Sequence, residues 1–369
     1  CIFISACWNY REVEQLAIVM GLAVDKGGNE HQFLVTAEII NPKGGREEKK
    51  QESVTIEATG DTVFDAIRQL TSLAGRKMYW SHAKVAIVSR EIAATDILPL
   101  LDWVSRDQQA RGDMWLLVSE EATAGEILKS KPKLESSISM QLDTTFRSQK
   151  YLTGFPSKRI YQFIDDMSSG TINPVLSSIK LVKQNNELSP TILDTVVFKK
   201  DKMVGSLNHD ESKALLFVQN AIRDGLYKIE NVGGEKTVVT LEILGSKTTV
   251  KPSYSNGKIV MKIDVKPRVS ISEISTTKDV MSQEGTELVK SIANKKLESD
   301  IKNLIEKVQK EYKSDIFGFG KKVKDKFPEI WKKIEKDWEE IFEKIEIQVS
   351  VDFEIQGSST LIKPLKVAD

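Results

Sequence analysis

Only two residues of this 369-residue chain are cysteines, Cys1 and Cys7, and the second follows Ile4-Ser5-Ala6. An aliphatic residue, two small residues and a cysteine make a lipobox. The thiol there can take a diacylglyceryl thioether, and the small neighbours let processing enzymes reach the backbone. Each buried methylene contributes about 0.8 kcal/mol, so one acyl chain holds weakly while two or more anchor stably. Cys1-Ile2-Phe3-Ile4 ahead of Ser5-Ala6 also has the character of a secretory leader's end. Residues 1–6 are therefore expected to be a signal-peptide remnant, with Cys7 the lipidated new terminus. The plainer alternative is an apolar cluster with a spare thiol. With both cysteines in the first seven residues, no disulfide can staple the body.

Other side chains capable of chemistry are scattered. His31, His82 and His209 lie far apart and lack the His-Glu-x-x-His spacing that puts two imidazoles on one helical face. No serine occupies a Gly-x-Ser-x-Gly elbow. Gly318-Phe319-Gly320 lacks the lysine of a phosphate loop and more simply marks a turn between helices. Asp165-Asp166 and Glu339-Glu340 are adjacent acids, which point apart on a helix and suit a solvated face. Arg106, Asp107 and Arg111 bracket a loop where local capping and ion pairing account for them. No catalytic residue, metal site or cofactor is expected.

The totals narrow the class. Lys+Arg and Asp+Glu are both 53, so the net charge is zero and the basic excess of a nucleic-acid binder is missing. No run approaches the roughly 18–20 apolar residues of a membrane-spanning helix. The lysine-rich stretch from Lys321 to Lys344 carries Trp331, Trp338 and Phe342, but interleaved acids cancel attraction to anionic lipid. An amphipathic helix packed on a sheet is the expectation there.

The elements that must position any site read as α+β (mixed α/β). Gln15–Asp25 and His31–Thr36 form a strand pair around Lys26-Gly27-Gly28-Asn29, and a third strand covers Glu52–Ile56. Asp61 offers an N-cap for a helix with Val63, Phe64, Ile67 and Leu70 on one face. A strand from Met78 to Val88, a helix over Ile97–Val104, a strand over Met114–Val118 and a helix over Ala124–Leu128 follow. A further helix carries Ile160, Phe163, Ile164 and Met167 up to Gly170. The polar stretch 184–190 reads as a boundary. Beyond it come a hairpin at Lys200-Asp201, a helix over Ala214–Ile222, and a strand-rich segment with a hairpin at Asn256-Gly257. Two long helices, striped by Leu288 to Tyr312 and by Val323 to Ile345, lead to the alternating strand Ile347–Ile355; Pro328 kinks or restarts the second.

Several stretches, in this order, resemble the C subunits of spore germinant receptors, the Ger(x)C lipoproteins. The first is Cys7-Trp8-Asn9-Tyr10-Arg11-Glu12-Val13-Glu14, followed by Ala17 to Asp25. Asn41-Pro42, Ser81-His82 and Arg106-Asp107 to Arg111 come next. Val197-Phe198-Lys199, Val204 to Leu207 and Glu211-Ser212-Lys213 follow, then Asp315 to Gly320 with Pro328 and Trp331. Asn9 stands for the usual Asp, Leu193-Asp194-Thr195 for Gly-x-Ala, and Lys213 for an Arg.

The resemblance implies a non-enzymatic lipoprotein on the outer face of the spore inner membrane, working with multi-pass A and B subunits in nutrient sensing. It also implies three domains with mixed or antiparallel sheets packed on helices. These are expected at 7–188, 189–232 and 233–369, the last with the long paired helices. Trp8, Asn9, Arg11 and Glu12 follow the anchor and are the candidate membrane-proximal or partner contact; a short linker is the competing reading. Whether a small molecule binds stays open. A solute-capturing lipoprotein is the alternative, weakened because strand-rich stretches run into long helices instead of repeating strand–helix units. A cell-envelope hydrolase would need a nucleophile or acid pair that is missing from the pattern.

Overall fold

The computed structural model describes residues 15–28, 32–40, 53–148, 154–232, 237–275 and 282–356. Two compact units divide the chain. The first takes residues up to Phe146 with 158–164 and 178–192, and the second takes 147–157, 165–177 and everything from Leu193 onward.

The first unit is a mixed sheet with helices packed on it. Its strands and helices run β1 (Leu16–Lys26), β2 (Phe33–Ile40), β3 (Ser53–Gly60), α1 (Val63–Ala74), β4 (Lys77–Tyr79), β5 (Val85–Ser89), α2 (Arg90–Thr95), α3 (Leu98–Arg106), β6 (Trp115–Ser119), α4 (Gly125–Lys129), α5 (Ile138–Arg147) and the start of α6 (Ile160–Ser168). The strand order is β3-β2-β1-β5-β6, then β7 (Val175–Gln184) and β8 (Glu187–Lys199), of which residues 178–184 and 187–192 belong to this unit. β1–β2 and β2–β3 are antiparallel, whereas β1–β5 and β5–β6 are parallel. β1 is central, and every residue from Val19 to Asp25 is buried. That is why it reads as a continuous apolar run instead of alternating.

Several boundaries differ from the sequence reading for identifiable reasons. Thr62, one residue past Asp61, caps α1 and accepts from Asp65 N. The strand expected from Met78 to Val88 is broken by a 3₁₀ turn over Trp80–His82, which separates β4 from β5. The stretch at 184–187 is a two-residue hairpin turn, with Asn185 and Asn186 at φ 48° and 65°. Position 188 thus falls inside β8. α5, β7 and the short strand β10 introduced below escaped pattern reading.

The second unit continues with β9 (Lys202–Leu207), α7 (His209–Val218), β10 (Leu226–Glu230), β11 (Val238–Ser255), β12 (Lys258–Ile274), α8 (Gln283–Lys307), α9 (Phe319–Lys326), α10 (Pro328–Ile334), α11 (Trp338–Phe342), β13 (Glu346–Val351) and β14 (Glu354–Ile355). Asn208 and Glu211 close a reciprocal capping box on α7. β11 and β12 turn at Asn256-Gly257, both with positive φ as expected. The sheet order is β10-β11-β12-β13, with β14 beside β12, and β13 runs parallel to β12.

α8 buries Val289, Ala293, Leu297, Ile301, Leu304 and Ile305, a stripe spaced three and four residues apart. It therefore lies along the sheet as one long helix. The second long helix expected from the sequence is instead three short ones. Gly318 at φ 74° opens α9, and Pro328 restarts the chain as α10. Trp331, Trp338 and Phe342 are buried in this unit's core.

Candidate functional site

Of the four acids buried among the described residues, Asp25, Glu38 and Asp315 serve helix starts, and Asp143, inside α5, accepts from Trp115 Nε1 at 2.9 Å. Asp25, at the end of β1, accepts from Ala124 N at 2.6 Å and Gly125 N at 3.0 Å. Burial raises its carboxyl above the ordinary range, and these two amides pull the other way. Glu38 in β2 accepts from Ile138 N at 2.8 Å and Ser139 N at 2.9 Å, and from the hydroxyls of Ser53 and Ser139. Asp315 accepts from the amides of Phe317, Gly318, Phe319 and Gly320 and from Trp338 Nε1. Burial pushes its carboxyl up to about 6 against those donors. The first few amides of a helix lack intrahelical acceptors, so a buried carboxylate there satisfies several at once.

The other polar candidates resolve into local structure. Arg106 makes two 2.8 Å bonds to Asp102, and Asp107 Oδ1 accepts from Gln109 N and Ala110 N. Arg111 pairs with Asp113 at 3.2 Å. Glu339 is bound by Lys199 at 2.9 Å; burial raises its carboxyl, but Lys199 and Lys200 outweigh that and lower it. His82 lies on the 3₁₀ turn with its ring 5.5 Å from that of Tyr79. Among the described residues, no group of three or more His, Cys, Asp and Glu could hold a metal, and no helix is long and apolar enough to cross a membrane. Cys7, Trp8, Asn9, Arg11, Glu12 and His31 lie outside the described residues.

A concavity is built into the first unit. A cavity of 1260 Å³ is lined by α1, by β4 and its following turn, and by α3 with the loop after it. Its apolar wall includes Val63, Ile67, Met78, Trp80 and Trp103, the two indoles meeting edge-on at 5.0 Å. Phe64 and Leu98 also line it and remain 46% and 42% exposed. The helical pattern predicts Phe64 on the core face of α1 with Val63, Ile67 and Leu70. It sits one position round from Val63, at the edge of the apolar stripe, and so stays half exposed at the cavity while Val63 and Ile67 are buried. Pattern reading also missed Asp25, Glu38 and Asp315, since an isolated acid in an apolar run gives no sign of which distant amides it will meet.

Two units, each a mixed sheet with helices packed on it, define an α+β protein. The crystal structure of the GerBC protein has this fold, with a TM-score of 0.62 and 23% identity over 94% of this chain and 100% of that one. Residues 9–181 match the domain described as "Spore germination protein N-terminal domain", and residues 194–359 match "Spore germination B3/ GerAC like, C-terminal". Spore germination protein B3 of Bacillus subtilis (strain 168) is 27% identical, covering 98% of this chain and 96% of its own length. Spore germination protein KC of the same organism is 23% identical over 89% and 86%. The chain belongs to the Ger(x)C family of spore germination proteins.

Proposed function

We propose that this chain is a non-enzymatic, membrane-tethered subunit of a nutrient germinant receptor. It is held on the outer face of the spore inner membrane through a lipid on Cys7 and acts through contacts with multi-pass A and B subunits. The observation that carries the reading is the pair of spore-germination domain matches over residues 9–181 and 194–359, with the lipobox Ile4-Ser5-Ala6-Cys7 just ahead. The recruitment of Asp25, Glu38 and Asp315 to helix starts, and of Asp143 to the Trp115 indole, supports it, because each of these buried acids has a structural partner.

A tether raises the local concentration of the body near membrane partners, so individual interfaces need not be strong. Trp8, Asn9, Arg11 and Glu12 then lie closest to the bilayer and form the first contact with lipid or partner. The test is fractionation of spores of the native host. The chain should co-purify with the multi-pass subunits from detergent-solubilised inner membrane, and Cys7→Ala should release it to the soluble fraction. Recovery of the intact chain in the soluble fraction would contradict the tether, and membrane recovery without the multi-pass subunits would contradict the complex.

A further inference from the structure

The cavity of the first unit has the size and apolar wall of a ligand site. Its volume of 1260 Å³ is somewhat above the roughly 300–1,000 Å³ common for small-molecule pockets. Beyond the apolar wall described above, Pro99 adds a further apolar surface.

Its polar atoms are unevenly spent. Asp102 and Arg106 neutralise each other, and one oxygen of Asp107 is occupied by two backbone amides. The lining cations Arg68, Lys77 and Arg106 balance the acids Asp96, Asp102 and Asp107, but among the described residues Arg68 and Lys77 take part in no ion pair and so keep their positive groups open to an incoming anion. The Arg68 guanidinium is stacked 4.9 Å over the Phe64 ring, which fixes a cation beside an exposed aromatic face. Trp103 is 4% exposed, and its Nε1–H is buried with no hydrogen-bond acceptor. Buried donors are nearly always paired, and Trp103 lines the cavity, so a small rotation of the indole would bring this donor to an acceptor atom that enters there.

We propose that this cavity binds a small amphipathic anion. Its aromatic or branched apolar body lies against Trp80, Trp103 and Ile67. Its negative group faces Arg68 and Lys77, and an acceptor atom takes the Trp103 indole N–H. The proposal gives this subunit a direct small-molecule contact, and it stands or falls independently of the germination reading. A helix from a partner protein is the competing occupant. It is disfavoured because two cations without ion pairs, Arg68 on α1 and Lys77 on β4, and the unpaired indole of Trp103 on α3 suit one charged group better than an extended apolar ridge.

The probe is 1-anilinonaphthalene-8-sulfonate, an aromatic body with a single sulfonate, titrated into the full unlipidated chain. Its neutral relative N-phenyl-1-naphthylamine is the comparison. Saturable binding at one site per chain is expected. Arg68→Glu with Lys77→Glu should weaken the sulfonate by about tenfold or more and leave the neutral dye little changed. Thr71→Trp, at another lining position, should fill the space and abolish both. Unchanged thermal midpoints of the variants establish that the fold is intact. The proposal is overturned by the absence of saturable binding to the folded chain. It is equally overturned by binding that both variants leave untouched, or by a Thr71→Trp chain that keeps the dye while losing a protein partner.

Discussion

Trp338 donates its indole Nε1–H to Asp315 Oδ2 at 3.1 Å, and both side chains are buried. The same oxygen accepts from Gly320 N at 2.7 Å, while Oδ1 collects the amides of Phe317, Gly318 and Phe319. One carboxylate therefore fixes the left-handed turn at Gly318, the start of α9 and the position of α11.

Two effects compete at this carboxylate, and pH separates them. With desolvation dominant, the folded carboxyl titrates at about 6 against an ordinary 3.8. Between those values the folded state holds more protons than the unfolded state. Stability linked to Asp315 is then fully present below the unfolded value and is lost as pH rises through the folded one. A shift of about two units corresponds to about 3 kcal/mol. Urea unfolding of the wild type and Asp315→Asn should show the wild-type advantage shrinking between about pH 4 and about pH 7. An advantage that grows with pH would mean that the five donors outweigh desolvation.

Gly320 is required by close approach. A Cβ there would lie 2.8 Å from the carbonyl oxygen of Thr171 and 2.8 Å from Trp338 Nε1. Neither a backbone carbonyl nor an indole held by Asp315 gives way easily. Gly320→Ala should cost about 1–3 kcal/mol in urea unfolding and shift Trp338 emission. A neutral substitution would show that α11 is free to move.

Glu38 joins β2 and β3 to the first turn of α5. Glu38→Gln replaces one acceptor oxygen with an amide donor, which must face either Ser139 or the pair of Ser53 and Ile138. Loss of about 2 kcal/mol is expected, with faster hydrogen exchange at Ile138 and Ser139. Unchanged exchange at those two amides would contradict the role assigned to Glu38.

Much of the framework was legible because it rests on local rules. The strand pair β1–β2, the turns at Lys200 and Asn256-Gly257, and the stripe of α8 follow from turn chemistry and periodicity. The second long helix failed because its stripe of Val323, Phe327, Ile330 and Ile334 is compatible with continuous helix. The restart at Pro328 was legible from the proline, but nothing in the stripe marks the second break, the 3₁₀ turn over Glu335–Asp337 between α10 and α11. β7 was missed because Val175–Ile179 is buried on both faces and shows no alternation. The cavity is invisible to pattern reading, since it joins residues from α1, β4 and α3 that share no local motif.

The most direct test of the central claim is nutrient-triggered release of dipicolinic acid from spores lacking this gene, with a receptor-independent trigger as control. Deletion should abolish the response to particular nutrients and leave the control intact. Restoring the wild-type gene should recover the response, and restoring Cys7→Ala should not. Full responses to every nutrient in spores that carry no other receptor of this family would contradict the account.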